Sequence, residues 1–119
     1  SSTKLTYNPS TGTLSATVFN SLSDSRQKEN ITVIKDAQQI VDSISGVRFT
    51  WKDNGKPSAG VIAQEVELVL PEIVDTDPTT DIKSINYVGI VGVLIEAVKD
   101  LSNQVKTLND KVKDLENRS

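Results

Sequence analysis

The residues best suited to covalent chemistry are Ser23 and Lys28, the two ends of Ser23-Asp24-Ser25-Arg26-Gln27-Lys28. A serine hydroxyl is a weak nucleophile until a base takes its proton, and a desolvated lysine amine can be that base. The two residues are five positions apart, a span that one tight turn can close. Attack of Ser23 Oγ on the preceding carbonyl, that of Leu22, closes a five-membered ring and shifts the acyl group from nitrogen to oxygen. Attack on its own carbonyl would need a strained four-membered ring. Water then hydrolyses the ester, so the expected scission is between Leu22 and Ser23. Asp24 can orient Lys28, and Arg26 or a backbone N–H can stabilise the oxyanion. The plainer roles are a turn cap for Asp24 and a surface ion pair for Arg26. The spacing alone fits a polar loop as well as a dyad.

Composition narrows the other chemistry. The chain has 119 residues, enough for one small domain with a modest core, and 36% of them are hydrophobic. That fraction is low for a self-sufficient globule, so other copies of the chain are expected to complete the core. With no Cys and no His, disulfides, thiolate zinc sites and His-based triads are excluded. A net charge of -3 gives no basic field for nucleic acid. No apolar run reaches membrane-spanning length, so no membrane partner is expected. No cofactor or metal is implied. Ser1 to Thr3 reads as a cut edge, and the chain is expected to be the C-terminal piece of a longer protein.

The dyad stretch must be positioned by what flanks it. Before it, Leu5 and Tyr7 alternate with polar residues, Asn8 to Gly12 carry turn chemistry, and Thr13 to Phe19 is Thr-rich. This predicts a hairpin or two short strands, marginal alone and continuing an upstream β-structure. After it, Asn30-Ile31-Thr32 matches a glycosylation acceptor, but nothing else indicates a glycosylating pathway.

Further on, Asp36 can cap a helix showing Ala37, Ile40, Val41 and Ile44 on one face, ended by Gly46. Val47, Phe49 and Trp51 alternate with polar residues as a strand with one buried face. Asp53 to Pro57 is a turn, and a second strand, Ala59 to Ile62, pairs back. Ala63 to Leu70 reads as a short helix stopped by Pro71. From Glu65 to Asp81 there are six acids and no Lys or Arg. Asp75, Asp77 and Asp81 lack the glycine and the following Glu that a calcium loop needs, so the loop reads as solvated. Ile82 to Tyr87 reads as a strand.

The strongest periodic signal comes last. Val91, Leu94, Val98, Leu101, Val105, Leu108, Val112 and Leu115 alternate spacings of three and four, the a/d seam of a coiled coil. Five acids and five bases decorate Glu96 to Arg118. A lone helix of this length would not persist, so the seam predicts parallel self-association. Val at a and Leu at d lean towards two strands, and the sparse flanking charges do not decide the number.

The ordered blocks resemble the C-terminal intramolecular chaperone domain, the peptidase S74 family, of phage tailspikes, tail fibres, neck appendages and endosialidases. They are Ser23 to Lys28 with Asn30-Ile31, then Val47 to Lys52, Gly60 to Val66, Leu70 to Val74, Ile85-Asn86-Tyr87 and Leu94 to Leu101. Upstream, Tyr7 to Leu14 looks like the end of a fibre stem. The resemblance implies a homotrimer whose partner is the upstream fibre or spike domain of the same polypeptide. Such domains assist the folding of that domain, then release themselves by single-turnover autoproteolysis. Carried over, Ser23 is the nucleophile and Lys28 the base. The implied setting is the host cytoplasm during phage assembly, with the chaperone absent from the mature virion.

The expected architecture is therefore α+β. Residues 1–22 end a β-rich stem, 23–88 form a mixed helix and strand core, and 89–119 form the helix of a parallel trimeric coiled coil. The alternative function is a non-catalytic trimerisation or receptor-binding tip that stays attached. A sugar- or metal-binding tip would use Trp51, Tyr87 and the acidic loop, but both aromatics sit in apolar patterns and are expected in the core.

Overall fold

A computed structural model describes residues 4–118 of the chain. Ser1 to Thr3, read above as a cut edge, lie outside the described residues. The fold is α+β, built from three two-stranded antiparallel sheets, short helices and one long C-terminal helix. The chain divides into two compact units, one ending at Ile31 and one beginning at Thr32.

The first unit opens with a hairpin of β1 (Leu5–Asn8) and β2 (Thr13–Ala16). Leu5 pairs with Ala16 and Tyr7 with Leu14, so the four share one face of the ladder. The Asn8 side chain accepts from the Ser10 N–H at 3.0 Å, and its carbonyl accepts from the Gly12 N–H at 2.8 Å. Gly12 has φ 70°, a left-handed conformation that glycine adopts without steric cost. The apolar face stays open: Leu5, Tyr7 and Leu14 are all exposed.

The second unit packs its core between helices. These are α1 (Ala37–Asp42), α2 (Ala63–Val69) and α3 (Tyr87–Asn117). Ala37, Val66, Leu70 and Val93 are buried, with Ile34, Ile40, Val41, Ile44, Val61, Ile73, Val74, Ile85 and Ala97 packed against them. Ala37, Ile40 and Val41 form the buried face of α1 as expected, but the helix ends at Asp42, before Gly46, and Ile44 packs on the core from beyond its end. Asp36 does precede α1, but at φ 58° and without a side-chain cap.

Two further hairpins complete this unit. β3 (Val47–Thr50) pairs with β4 (Pro57–Gly60), so β4 begins two residues before the expected strand. Pro57 is tolerated because it opens an edge strand, where no ladder N–H is required of it. β5 (Val74–Thr76) pairs with β6 (Lys83–Ile85). Their loop is held by Asp77, whose side chain accepts from the Thr79 N–H at 2.8 Å and whose N–H donates to the Ile82 carbonyl at 2.9 Å. The acids of this loop form a turn, and no group of three or more potential metal ligands occurs among the described residues.

Trp51 and Tyr87 depart from the expected core. Trp51 is 54% exposed and Tyr87 52%. The β3–β4 ladder stops one residue before Trp51, leaving its ring edge-on to Phe49 with centroids 4.9 Å apart. Tyr87 uses its hydroxyl to accept from the Val61 N–H at 3.3 Å, which keeps the ring at the rim.

α3 begins at Tyr87, two residues before the expected start at 89, so the strand expected over Ile82 to Tyr87 is shortened to β6 and its last residue opens the helix. Asn86 caps it by accepting from the Val88 N–H at 3.2 Å. Its first turns serve the core through Val93 and Ala97, against α1. Gln104 of α3 donates to Gln38 Oε1 of α1 at 2.9 Å. All eight seam residues are 46–64% exposed, so the seam is distinct from the face that α3 gives to its own core. No helix among the described residues is long and apolar enough to cross a membrane.

Candidate functional site

The stretch from Ser23 to Lys28 folds around one 3₁₀ turn, Ser25–Gln27. The Gln27 N–H donates to the Asp24 carbonyl at 3.0 Å, and the Lys28 N–H to the Ser25 carbonyl at 3.1 Å. Asp24 precedes the turn with extended backbone, and its Oδ1 accepts from the Arg26 N–H at 2.9 Å. This is the ordinary reason for an aspartate at such a position: its carboxylate satisfies an N–H that the turn leaves without a carbonyl. Lys28 returns to extended backbone, which points its side chain back along the turn.

The result is a direct contact between the two residues singled out for chemistry. Lys28 Nζ donates to Ser23 Oγ at 2.8 Å. That distance is well inside the range of a good hydrogen bond and within reach for proton transfer. Both side chains belong to the same chain. Both are exposed, and Leu22, on the other side of the expected scission, is 81% exposed.

Asp24 and Arg26 take the plainer of the roles given them above, turn cap and surface ion pair. The Asp24 carboxylate faces Arg26, not Lys28. Arg26 Nε donates to Oδ1 at 3.1 Å and to Oδ2 at 3.2 Å, and Nη2 donates to Oδ2 at 2.7 Å. The Arg26 side-chain bonds, and then its backbone N–H, hold the Asp24 carboxyl below the ordinary aspartate value. The same bonds push the guanidinium up. The Asp24 carboxylate bonds within the turn, to Arg26. An Asp followed two positions later by a donor is an Asx-type cap pattern, so the sequence carried the signal for this.

The pattern of the chain has relatives. Residues 23–75 match the model of the family described as chaperone of endosialidase, peptidase S74. The chain is 35% identical over 112 residues to long tail fiber protein Gp37 of Salmonella phage S16, covering 80% of this chain and 15% of that protein. It is 31% identical over 87 residues to Gp37 of Escherichia phage AR1, covering 66% and 8%. The figures for Gp37 of Enterobacteria phage K3 are 33% over 98 residues, 76% and 8%. The chain thus spans a small part of the length of the curated relatives it matches. The matched segment begins at Ser23, contains the Ser–Lys contact, spans α1, β3, β4 and α2, and ends within β5. On this match, residues 23–75 belong to the chaperone of endosialidase family, peptidase S74.

Proposed function

We propose that this chain is an intramolecular chaperone at the end of a phage fibre or spike protein. It gathers three chains, assists folding of the β-rich domain upstream, and releases itself by breaking the Leu22–Ser23 bond. The observation that carries the catalytic part is the 2.8 Å contact between Lys28 Nζ and Ser23 Oγ. The family match and the tail fibre relatives support the chaperone part.

The chemistry needs few parts. Neutral Lys28 takes the Ser23 hydroxyl proton as Oγ attacks the Leu22 carbonyl carbon. The Leu22–Ser23 C–N bond breaks, and the leaving nitrogen takes the proton from Lys28. The product is an ester between Leu22 and Ser23 Oγ. Water hydrolyses it, leaving a carboxylate on Leu22, a free amine on Ser23 and the restored hydroxyl. A lysine works as a base only after losing its proton, which desolvation favours. Ser23 and Lys28 are open to water in the single chain. Assembly with neighbouring chains or with the folded upstream domain would cover them, so that scission follows folding.

The assembly has its own rationale. Intertwined β-strands need chain ends in register before long-range pairing begins, and closing that loop is slow. A terminal coiled coil raises the local concentration of the ends. Releasing it afterwards removes the route back and leaves the fibre kinetically trapped.

The test is intact mass spectrometry of a longer chain that includes the upstream stem, beside its Ser23→Ala variant. Two fragments meeting at Leu22 and Ser23, seen only with the serine, are expected. One parental mass in both samples overturns the cleavage. That result would favour a second reading, a permanent oligomerisation module, which needs only the exposed seam of α3.

A further inference from the structure

We propose that Asp24 and Arg26 form a clamp that positions the dyad: the Lys28–Ser23 contact exists only while the Asp24 carboxylate is closed on Arg26. This deepens the self-cleavage reading above and rests on it for its effect on rate. The segment from Ser23 to Lys28 has no buried residue within its turn, so packing does not hold its shape. Hydrogen bonds must. Two of them are the backbone bonds that define the turn. The others converge on one carboxylate, which takes the Arg26 N–H and three side-chain contacts from the same residue.

Two features make this more than a surface ion pair. An exposed pair of charges contributes little to overall stability. Here the pair instead acts on the conformer of a short, unpacked loop that only two backbone bonds otherwise hold. First, the guanidinium meets both carboxylate oxygens as a fork, which fixes orientation as well as distance. Second, Asp24 Oδ1 is shared with the backbone N–H that opens the turn, so the fork and the cap close together. Ser23 immediately precedes the clamp, and Lys28 lies two residues beyond it. If the clamp opens, the two ends move independently and the reacting atoms lose their alignment. A misplacement of about 1 Å costs on the order of 100-fold in rate. Asp24 and Arg26 are thus positioning residues, and neither touches the reacting atoms.

Substitutions separate the cap from the fork. Asp24→Asn keeps an oxygen for the Arg26 N–H and loses the charged fork. Asp24→Ala loses both, and Arg26→Gln loses the fork alone. In the longer chain with its stem, cleavage is expected to slow about 10- to 100-fold in Asp24→Ala. Asp24→Asn should recover part of that loss, and all three variants should form the parental oligomer by light scattering. Trapping with hydroxylamine reads the ester directly, and less ester should accumulate in Asp24→Ala. Cleavage within twofold of the parent in Asp24→Ala overturns the clamp, as does slow cleavage explained by failed assembly. A second measurement is independent of scission. In the 119-residue chain, nuclear Overhauser contacts between the Lys28 ε-methylene and the Ser23 β-methylene should be present and should vanish in Asp24→Ala. Their persistence there overturns the clamp even if the longer chain never cleaves, whereas their loss beside an uncleaved parent removes only the cleavage reading.

Discussion

Lys28 Nζ lies 2.8 Å from Ser23 Oγ, across a turn of three residues within one chain. General-base assistance of this kind contributes about 10²- to 10⁴-fold. Lys28→Met in the longer chain should therefore slow scission at least 100-fold. Lys28→Arg should fail equally, because a guanidinium does not give up its proton. The check is the time course of fragments by mass spectrometry, and parental kinetics in Lys28→Met would end the dyad reading.

The contact is also within one polypeptide, so the chemistry should not be shared between neighbours. Chains carrying Ser23→Ala, co-assembled with chains carrying Lys28→Met, should yield no fragments. A base acting across chains would instead rescue part of the cleavage in such mixed assemblies. Differential isotope labelling of the two chains would identify which one had been cut.

The Asp24 carboxyl is held low, first by the Arg26 side chain and then by its backbone N–H. A depressed carboxyl gives its stabilisation above the ordinary aspartate value of 3.8 and loses it as pH falls through the lowered one. The turn should therefore stay closed through neutral and mildly acid pH and open only in strong acid. Carbon-detected titration of Asp24 should show a midpoint below 3.8, moving up towards it in Arg26→Gln. High salt should also shrink the shift, because the pair is exposed.

The seam of α3 predicts a parallel assembly with a testable flank. With Val91 at a, Lys111 falls at g and Glu116 at e of the next heptad. In a parallel, in-register coiled coil those two positions meet between neighbouring helices. Lys111→Glu alone should lower the thermal stability of the assembly at low salt, by up to about 1 kcal/mol per pair. The double variant Lys111→Glu with Glu116→Lys should restore it. An unaltered melt in the single variant would count against this register.

Gly89 sits in the first turn of α3, where an added Cβ would collide with the Ile73 side chain. Helix propensity alone says that alanine there should stabilise by about 1 kcal/mol. Overpacking costs about 1–3 kcal/mol, so the close approach should win or cancel the gain. Gly89→Ala is expected to lower the denaturation midpoint, and a rise would show that Ile73 moves aside freely.

Much of this molecule is legible in the order of its residues. The eight seam positions, the apolar face of α1 and the Pro71 stop after α2 follow from period and breaker chemistry. Ser23 and Lys28 stand out by residue type and spacing, and the block order carries the family. Other features were not legible because they depend on which residues pair across a turn and where that pairing stops. β5 pairs with β6 across a turn held by Asp77, and an acidic run by itself gives no hint of a ladder. Trp51 sits in an alternating pattern, yet that pattern cannot say where the opposing strand ends.

The site shows the same division. Sequence determined which atoms can react, because nucleophile and base are properties of residue type. It also determined that the ends of a six-residue stretch can meet. Tertiary structure decided that they do meet, and that Asp24 spends its carboxylate on Arg26 rather than on Lys28. That choice is set by the turn's backbone angles and by side-chain rotamers. Spacing along a chain bounds the contact distances but does not fix them, since hydrogen-bond strength falls steeply with small errors in distance and angle.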